Sequence, residues 1–368
     1  MGKKKKDSHS IIERDPEKTA ELAGLEYVND QLPGITRKKK GSKFVYISPS
    51  GKIITEQSEI DRINALVIPP AYQEVWICVK KNGHLQATGK DARGRKQYRY
   101  HSLWKKVREE NKYHRLVAFG KALPLIRKKV TEDLALKTLS KDKLLALVVH
   151  LLEVTLIRVG NEEYARENNS FGLTTFRNRH VHIEGTKITF KFRGKSGQMH
   201  TIDVKDRRLA NVIKKCKELP GQELFEYKNE NGEIASISST DVNHYLHEIT
   251  KDHFTAKDFR TWTGTVLAVF ALQEFEQFDS DVQAKKNIVQ AVEKVAKKLG
   301  NTPSVCRKCY IHPEVINAYL DGTLMQMIKE RAEKSLTDSL SELTSEETAV
   351  LAFLKQRLEL ELKKRKHS

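Results

Sequence analysis

The 368-residue chain carries 66 lysines and arginines against 48 acidic residues, a formal charge of +18, with 39% hydrophobic and 31% charged residues. That length gives room for two or three domains with a buried core, and that balance excludes a disordered chain. The positive surplus points to a polyanion, above all nucleic acid.

No apolar run of about 18 residues spans a membrane, and the lysine-rich start lacks the apolar stretch of a secretory signal. Four cysteines are too few for a disulfide framework in so long a chain, so a reducing cytoplasmic compartment is expected. Residues 1–24 are basic, polar and expected to be disordered. From 25 to 103 the signals favour strands. Phe44–Ile47, a Ser-Pro-Ser-Gly turn and Lys52–Ile54 read as strand, turn, strand, while Val75–Val79 and His84–Thr88 flank the hairpin signal Asn82-Gly83.

From 104 to 328 the period turns helical. Residues 142–158 are apolar almost all round and predict a buried helix closed by Arg158. Residues 283–299 carry apolar positions at helical spacing, with Gly300 as a stop. Between them, Ile188, Phe190 and Phe192 alternate with polar residues, and Arg193–Gly197 turns the chain toward Met199–Val204, a β hairpin. Residues 329–368 form a C-terminal extension that, from Thr344, reads as an amphipathic helix with a basic end. The expected architecture is α+β, a small β-rich N-terminal domain followed by a mainly helical domain carrying a β hairpin.

Residues 80–106 hold nine lysines and arginines against one acid, Asp91, with Gln97, Tyr98, Tyr100, His101 and Trp104 interleaved. Lysine and arginine neutralise phosphates while aromatic and amide groups reach base edges, so Lys90, Arg93, Arg95, Lys96, Gln97, Tyr98, Arg99 and Tyr100 are candidate DNA contacts. Arg158 and Arg260 lie in apolar surroundings where a guanidinium needs an anion; each could pair with a carboxylate, or both could clamp a phosphate. Lys195 sits in a Gly-Lys-Ser-Gly turn that lacks the remainder of a phosphate-cradling loop, so ATP binding is unsupported, though a hairpin tip can present one ammonium as a proton donor. Cys306 and Cys309, with His312 alone nearby, do not complete a zinc site. No acidic cluster suggests metal-dependent phosphodiester chemistry, which leaves a protein nucleophile; Tyr310 and Tyr319 are both candidates, and spacing does not choose between them.

Five segments in order narrow the choice: GHLQATGKDARGRKQYRYH (83–101), IRVGNEEYARENNSFGLTTFRNRHV (157–181), KFRGKSG (191–197), KDFRTW (257–262) and LGNTPSVCRKCY (299–310). Together they resemble the type IB DNA topoisomerases, in the short bacterial and poxvirus-type branch, over residues 25 to 328. The resemblance implies that Tyr310 is the nucleophile and that Arg158, Lys195 and Arg260 are the catalytic cations. Asn301 stands nine residues before the tyrosine, where poxvirus and nuclear enzymes carry histidine; it can donate a hydrogen bond but holds no charge. Lys257 falls where the related tyrosine recombinases have histidine, with a possible part in proton transfer. A monomer clamped on duplex DNA and using no cofactor or metal is the implied arrangement, in a bacterial cytoplasm on the nucleoid. A site-specific tyrosine recombinase would share the chemistry; the strand-rich N-terminal region and Lys257 stand against it. The charge alone would also allow a non-enzymatic packaging protein, which would form no covalent adduct with DNA.

Overall fold

Contacts divide the chain into two compact units, residues 1–115 and 116–368. The computed structural model describes residues 16–366 except 42, 93, 276–277 and 335–342, together with the side chains of these residues other than 109–114, 329–334, 361–362 and 364–366. Arg93 therefore lies outside the described residues, as does most of the basic N-terminal segment.

In the first unit, α1 (Pro16–Leu22) precedes β1 (Ile35–Lys40), β2 (Lys43–Ile47), α2 (Gln57–Ala65), β3 (Gln73–Ile77), β4 (Leu85–Lys90) and β5 (Lys96–Tyr100). The five strands form one antiparallel sheet in the order β2-β1-β3-β4-β5. The strand over Phe44–Ile47 is present and the expected turn brings 52–54 back beside it, with the Ile54 amide donating to the Tyr46 carbonyl at 2.9 Å, but its longer partner comes before it. β1 pairs with it residue by residue, whereas 52–54 adds only an Ile47–Ile53 bridge. The Thr-Arg-Lys-Lys-Lys run of β1 hides its strand because long basic side chains cover apolar surface with their stems; the Arg37 guanidinium lies 4.2 Å from the centre of the Phe44 ring.

β3 and β4 pair as expected, with Ile77 opposite Ala87. The connection is the loop 78–84 rather than a tight Asn-Gly turn. Side chains hold that loop: Arg62 of α2 donates to the Cys78 carbonyl at 2.8 Å, and Gln86 donates to the Gly83 carbonyl at 2.7 Å. Ile35, Ile63, Val75, Ile77 and Ala87 form the core beneath the sheet. β5 occupies the edge, so the segment Lys96–Tyr100 is a strand rather than a solvated loop.

The unit boundary falls inside α3 (Ser102–Leu134). Next comes α4 (Lys141–Thr155), whose Leu144–Val149, Leu151 and Leu152 are buried on every side. Ser140 caps its start by accepting from the Lys143 amide at 3.3 Å, and Leu156 ends it in the left-handed conformation at φ 59°. Arg158 therefore does not close the helix. The helix stops three residues earlier and Arg158 lies in an extended segment beyond it, the left-handed turn redirecting the chain before the guanidinium is reached.

After α5 (Glu162–Asn168), the β island has three strands, not two: β6 (Val181–Glu184), β7 (Lys187–Arg193) and β8 (Met199–Lys205), paired in that order. Then follow α6 (Arg207–Lys217), the short pair β9 (Glu226–Lys228) and β10 (Ile234–Ser236), α7 (Ser239–Thr250), α8 (Ala256–Gln273), α9 (Asp281–Leu299), α10 (Pro303–Cys309), α11 (Pro313–Leu320), α12 (Thr323–Lys334) and α13 (Ser345–Lys366). α9 matches its predicted span: Ile288, Ala291, Val292, Val295, Ala296 and Leu299 are buried, and Gly300 caps it at φ 59°.

α13 belongs to the core of the second unit, with Ala349, Val350, Leu351, Phe353 and Leu354 buried in the same cluster as α4 and α8. Its start is a reciprocal cap: the Thr344 amide donates to Glu347 at 3.1 Å, and the Glu347 amide donates to the Thr344 hydroxyl at 3.2 Å. The same carboxylate accepts two bonds of 2.8 Å from Arg127 of α3 and one of 3.0 Å from the Trp262 indole of α8. Burial alone would raise the Glu347 carboxyl, but these donors outweigh it and hold it below the usual glutamate range. Its contribution to stability is therefore full above the ordinary glutamate value and fades as pH falls through the depressed one. Glu347→Ala leaves the Trp262 N–H buried without an acceptor, and a loss of about 2 kcal/mol is expected in urea unfolding at pH 7, shrinking toward pH 3.

Candidate active site

Four segments converge in the second unit. The extended segment after α4 brings Arg158, the first turns of α8 bring Arg260, the cap of α9 brings Asn301, and the end of α10 brings Tyr310. α10 begins with Thr302 accepting from the Val305 amide and with Pro303 in its first turn, where a missing N–H costs nothing. Tyr310 caps its end, its amide donating to the Cys306 carbonyl at 2.9 Å. The chain is then tied to α8, as the His312 amide donates to the Thr265 hydroxyl at 3.1 Å.

Arg260 is 3% exposed, and its guanidinium lies 5.0 Å from the centre of the Tyr310 ring. One terminal nitrogen donates to the Leu156 carbonyl and the other to the Leu299 carbonyl at 2.8 Å. The carboxylate alternative does not hold for Arg260, because the fork is held by backbone carbonyls. Burial, followed by the neighbouring Arg158 charge, pushes the Arg260 guanidinium down from its ordinary value, yet an arginine stays charged at neutral pH. Arg158 donates to the side-chain oxygen of Asn301. The Asn301 Nδ2 and the Arg260 Nε are both buried with no acceptor among the described residues.

Lys195 is exposed on the tip between β7 and β8, where Ser196 takes φ 65°. Lys257 is also exposed, one helical turn before Arg260. Tyr319 is buried on α11, its hydroxyl accepting from Asn287 at 2.8 Å. Cys306 is buried, which pushes its thiol up to about 11.

One residue at the centre was passed over in the sequence. His200 of β8 stacks on Phe192 at 5.2 Å between ring centres, and both Arg158 and Arg260 act on its charge. Its place in an alternating strand marked it as an ordinary hairpin residue.

His180 supports the same region from behind. It is packed against Phe171 with 4.3 Å between ring centres, and its Nδ1 accepts from the Arg177 amide at 3.0 Å. Burial, then the charges of Arg179 and Arg177, lowers its imidazole to about 4. The unfolded chain, with an ordinary histidine near 6.5, binds more protons between the two values, so stability falls as pH drops from 6.5 toward 4. Thermal melts across that window should show the loss, and His180→Phe should flatten it.

In the first unit the basic segment is partly neutralised by Asp30 and Glu74 from elsewhere in the fold and by its own Asp91. Lys96 pairs with Asp30 at 2.5 Å, Lys90 with Glu74 at 2.6 Å and Arg95 with Asp91 at 2.7 Å. Gln97 donates to Asp91 at 3.0 Å, and Arg99 donates to the Val67 carbonyl at 3.0 Å. Tyr98 and Tyr100 share one face and stack at 6.0 Å with 9° between their planes, Tyr98 being 48% exposed. The local count of nine cations to one acid therefore overstates the free charge.

Comparison with known proteins fits this arrangement. Residues 101–339 match the family model for the eukaryotic DNA topoisomerase I catalytic core. The chain belongs to the type IB DNA topoisomerases. Residues 43–91 match the N-terminal domain of bacterial DNA topoisomerase IB. DNA topoisomerase 1B of Acanthamoeba polyphaga mimivirus is 33% identical over 78% of this chain and 88% of its own length. DNA topoisomerase 1B of vaccinia virus (strain Copenhagen) is 25% identical over 75% of this chain and 81% of its own length. Among the described residues, no group of three or more His, Cys, Asp or Glu side chains is arranged to hold a metal ion, and no helix is long and apolar enough to cross a membrane.

Proposed function

We propose that the chain relaxes supercoiled duplex DNA by opening one strand on Tyr310 and resealing it. The observation that carries this reading is the pair of buried donors, Arg260 Nε and Asn301 Nδ2, left without acceptors beside the Tyr310 ring. An unpaired buried donor costs about 1–3 kcal/mol, a cost that a phosphate oxygen would remove.

In the proposed step, the Tyr310 oxygen releases its proton to solvent and bonds to the scissile phosphorus as the bond to the 5′ oxygen breaks, leaving a 3′-phosphotyrosine. A phenol is a weak nucleophile at neutral pH unless the developing charge is stabilised, and Arg158 and Arg260 supply that stabilisation. The departing alkoxide needs a proton, which Lys195 gives from the hairpin tip, with Lys257 assisting transfer; such general-acid help is worth about 10²–10⁴ in rate. Asn301 holds a non-bridging oxygen. The tyrosyl ester keeps the energy of the phosphodiester, so attack by the 5′ hydroxyl reseals the strand without ATP or metal, and torsion turns the free end in the interval.

The first unit contributes DNA contacts through β4, β5 and the turn between them: Lys90, Arg93, Arg95, Lys96, Gln97, Tyr98, Arg99 and Tyr100. We read the two units as gripping one duplex as a monomeric clamp. The bacterial N-terminal domain match and Asn301 favour a bacterial source, with the enzyme on the nucleoid.

The test is relaxation of supercoiled plasmid in EDTA without nucleotide, followed by denaturant quenching and mapping of the DNA-linked peptide. Nucleotide on the Tyr310 peptide is the expected result. Attachment at any other residue, or relaxation that requires magnesium, overturns the reading.

A further inference from the structure

The Lys195 turn and the Asn301 cap come from distant parts of the chain, and one imidazole ring lies against both. A Cβ added at Gly194, the residue before Lys195, would sit 2.6 Å from His200 Cδ2. A Cβ added at Gly300, the residue before Asn301, would sit 2.8 Å from His200 Cε1. Both distances are shorter than real Cβ contacts, so each backbone touches the ring with no side chain between them.

The ring is fixed from a third side. His200 is the cross-strand partner of Phe192, and the two rings are stacked with 23° between their planes. Phe192 is buried in the main core of the unit, and a packed aromatic transmits position rather than absorbing it. The hairpin tip is closed on itself by the Gly194 amide donating to the Gln198 carbonyl at 2.7 Å and the Gly197 amide to the Gly194 carbonyl at 3.1 Å, so a push at Gly194 carries to the exposed Lys195 beside it.

We propose that His200 is a positioning residue, a rigid spacer that sets the distance between the Lys195 turn and the Asn301 cap. The proposal rests on the roles given above to Lys195 and Asn301. Burial, then the charges of Arg158 and Arg260, also holds the imidazole below its ordinary value, so at neutral pH it is an uncharged ring that adds no third cation to the pair.

The experiment measures single-turnover cleavage of a duplex oligonucleotide, with DNA binding and thermal melting measured in parallel. Covalent adduct formation by the wild-type protein, and its slowing in Lys195→Ala, test the underlying mechanism independently. Given both, His200→Ala should slow cleavage by about 10-fold or more with DNA affinity unchanged, since ångström-scale misplacement of a catalytic group is costly. His200→Phe keeps a planar ring of similar width and should recover to within about 3-fold of wild type, as a spacer role demands. Adding His200→Ala to Lys195→Ala should cost little more than Lys195→Ala alone, because the spacer acts in part through that lysine.

Wild-type cleavage by His200→Ala overturns the proposal. So does a His200→Phe variant as slow as His200→Ala, which would mean that the ring nitrogens matter, or full multiplication of the two effects in the double variant. If His200→Ala does not fold, Gly194→Ala carries the test. Its added methyl pushes on the ring and should slow cleavage in a folded protein; an unchanged rate overturns the proposal.

Discussion

Replacing Tyr310 by phenylalanine is expected to abolish both the covalent DNA adduct and plasmid relaxation. The substitution removes one oxygen and keeps the ring that packs under the Arg260 guanidinium, so the fold and the cation–ring contact survive. Tyr310 is 9% exposed and its backbone caps α10, so the ring's place does not depend on the hydroxyl. Circular dichroism and DNA affinity should match the wild type while cleavage falls below detection. Residual relaxation by Tyr310→Phe would remove Tyr310 from the reaction, and the buried Tyr319 is poorly placed to replace it.

The second large effect is expected at Arg260, where two consequences separate. Arg260→Ala removes the cation beside the phenol, and loss of one such donor typically lowers the chemical rate by about 10²–10³. It also strands the carbonyls of Leu156 and Leu299, at about 1–3 kcal/mol for each group left without a donor. Arg260→Lys distinguishes the two. Its ammonium can reach one carbonyl but cannot span both and still leave an Nε-type donor for a phosphate. Cleavage by Arg260→Lys should remain depressed by about 10²-fold with part of the stability regained. A lysine variant with near-wild-type cleavage and lowered stability would make Arg260 a brace only.

Much of the helical architecture was legible in the sequence, because long amphipathic or apolar segments carry their own caps. Gly300 after Leu299 and the Thr344–Glu347 pair before Val350 are local signals with local consequences. The strands were harder to read. β1 is a run of basic residues whose strand character depends on Phe44 and Tyr46 across the ladder, and nothing within 35–40 announces it. The segment 52–54 does fold back beside 46–48, as its turn signal suggests, but pairs there through a single bridge and not as a full strand. At the site, the motif order singled out Arg158, Lys195, Arg260, Asn301 and Tyr310 as a set; the fold brings all of them but Lys195, which is exposed on the hairpin tip, into contact with one another. What the sequence could not convey was tertiary: the carbonyls that hold the Arg260 fork, the Asp30 and Glu74 that neutralise Lys96 and Lys90, and the glycines on either side of His200.

The bond from Trp262 to Glu347 joins α8, two residues after Arg260, to a helix that leaves the ribosome later than any other described element. Until that helix emerges, the indole has no acceptor and the helix beneath the arginine is unbraced. A chain lacking that helix would therefore hold all the residues of the site while the framework beneath Arg260 stayed unfinished. For an enzyme that breaks a DNA strand, folding of the reactive lobe is thereby made to depend on a helix that contributes nothing to the site itself.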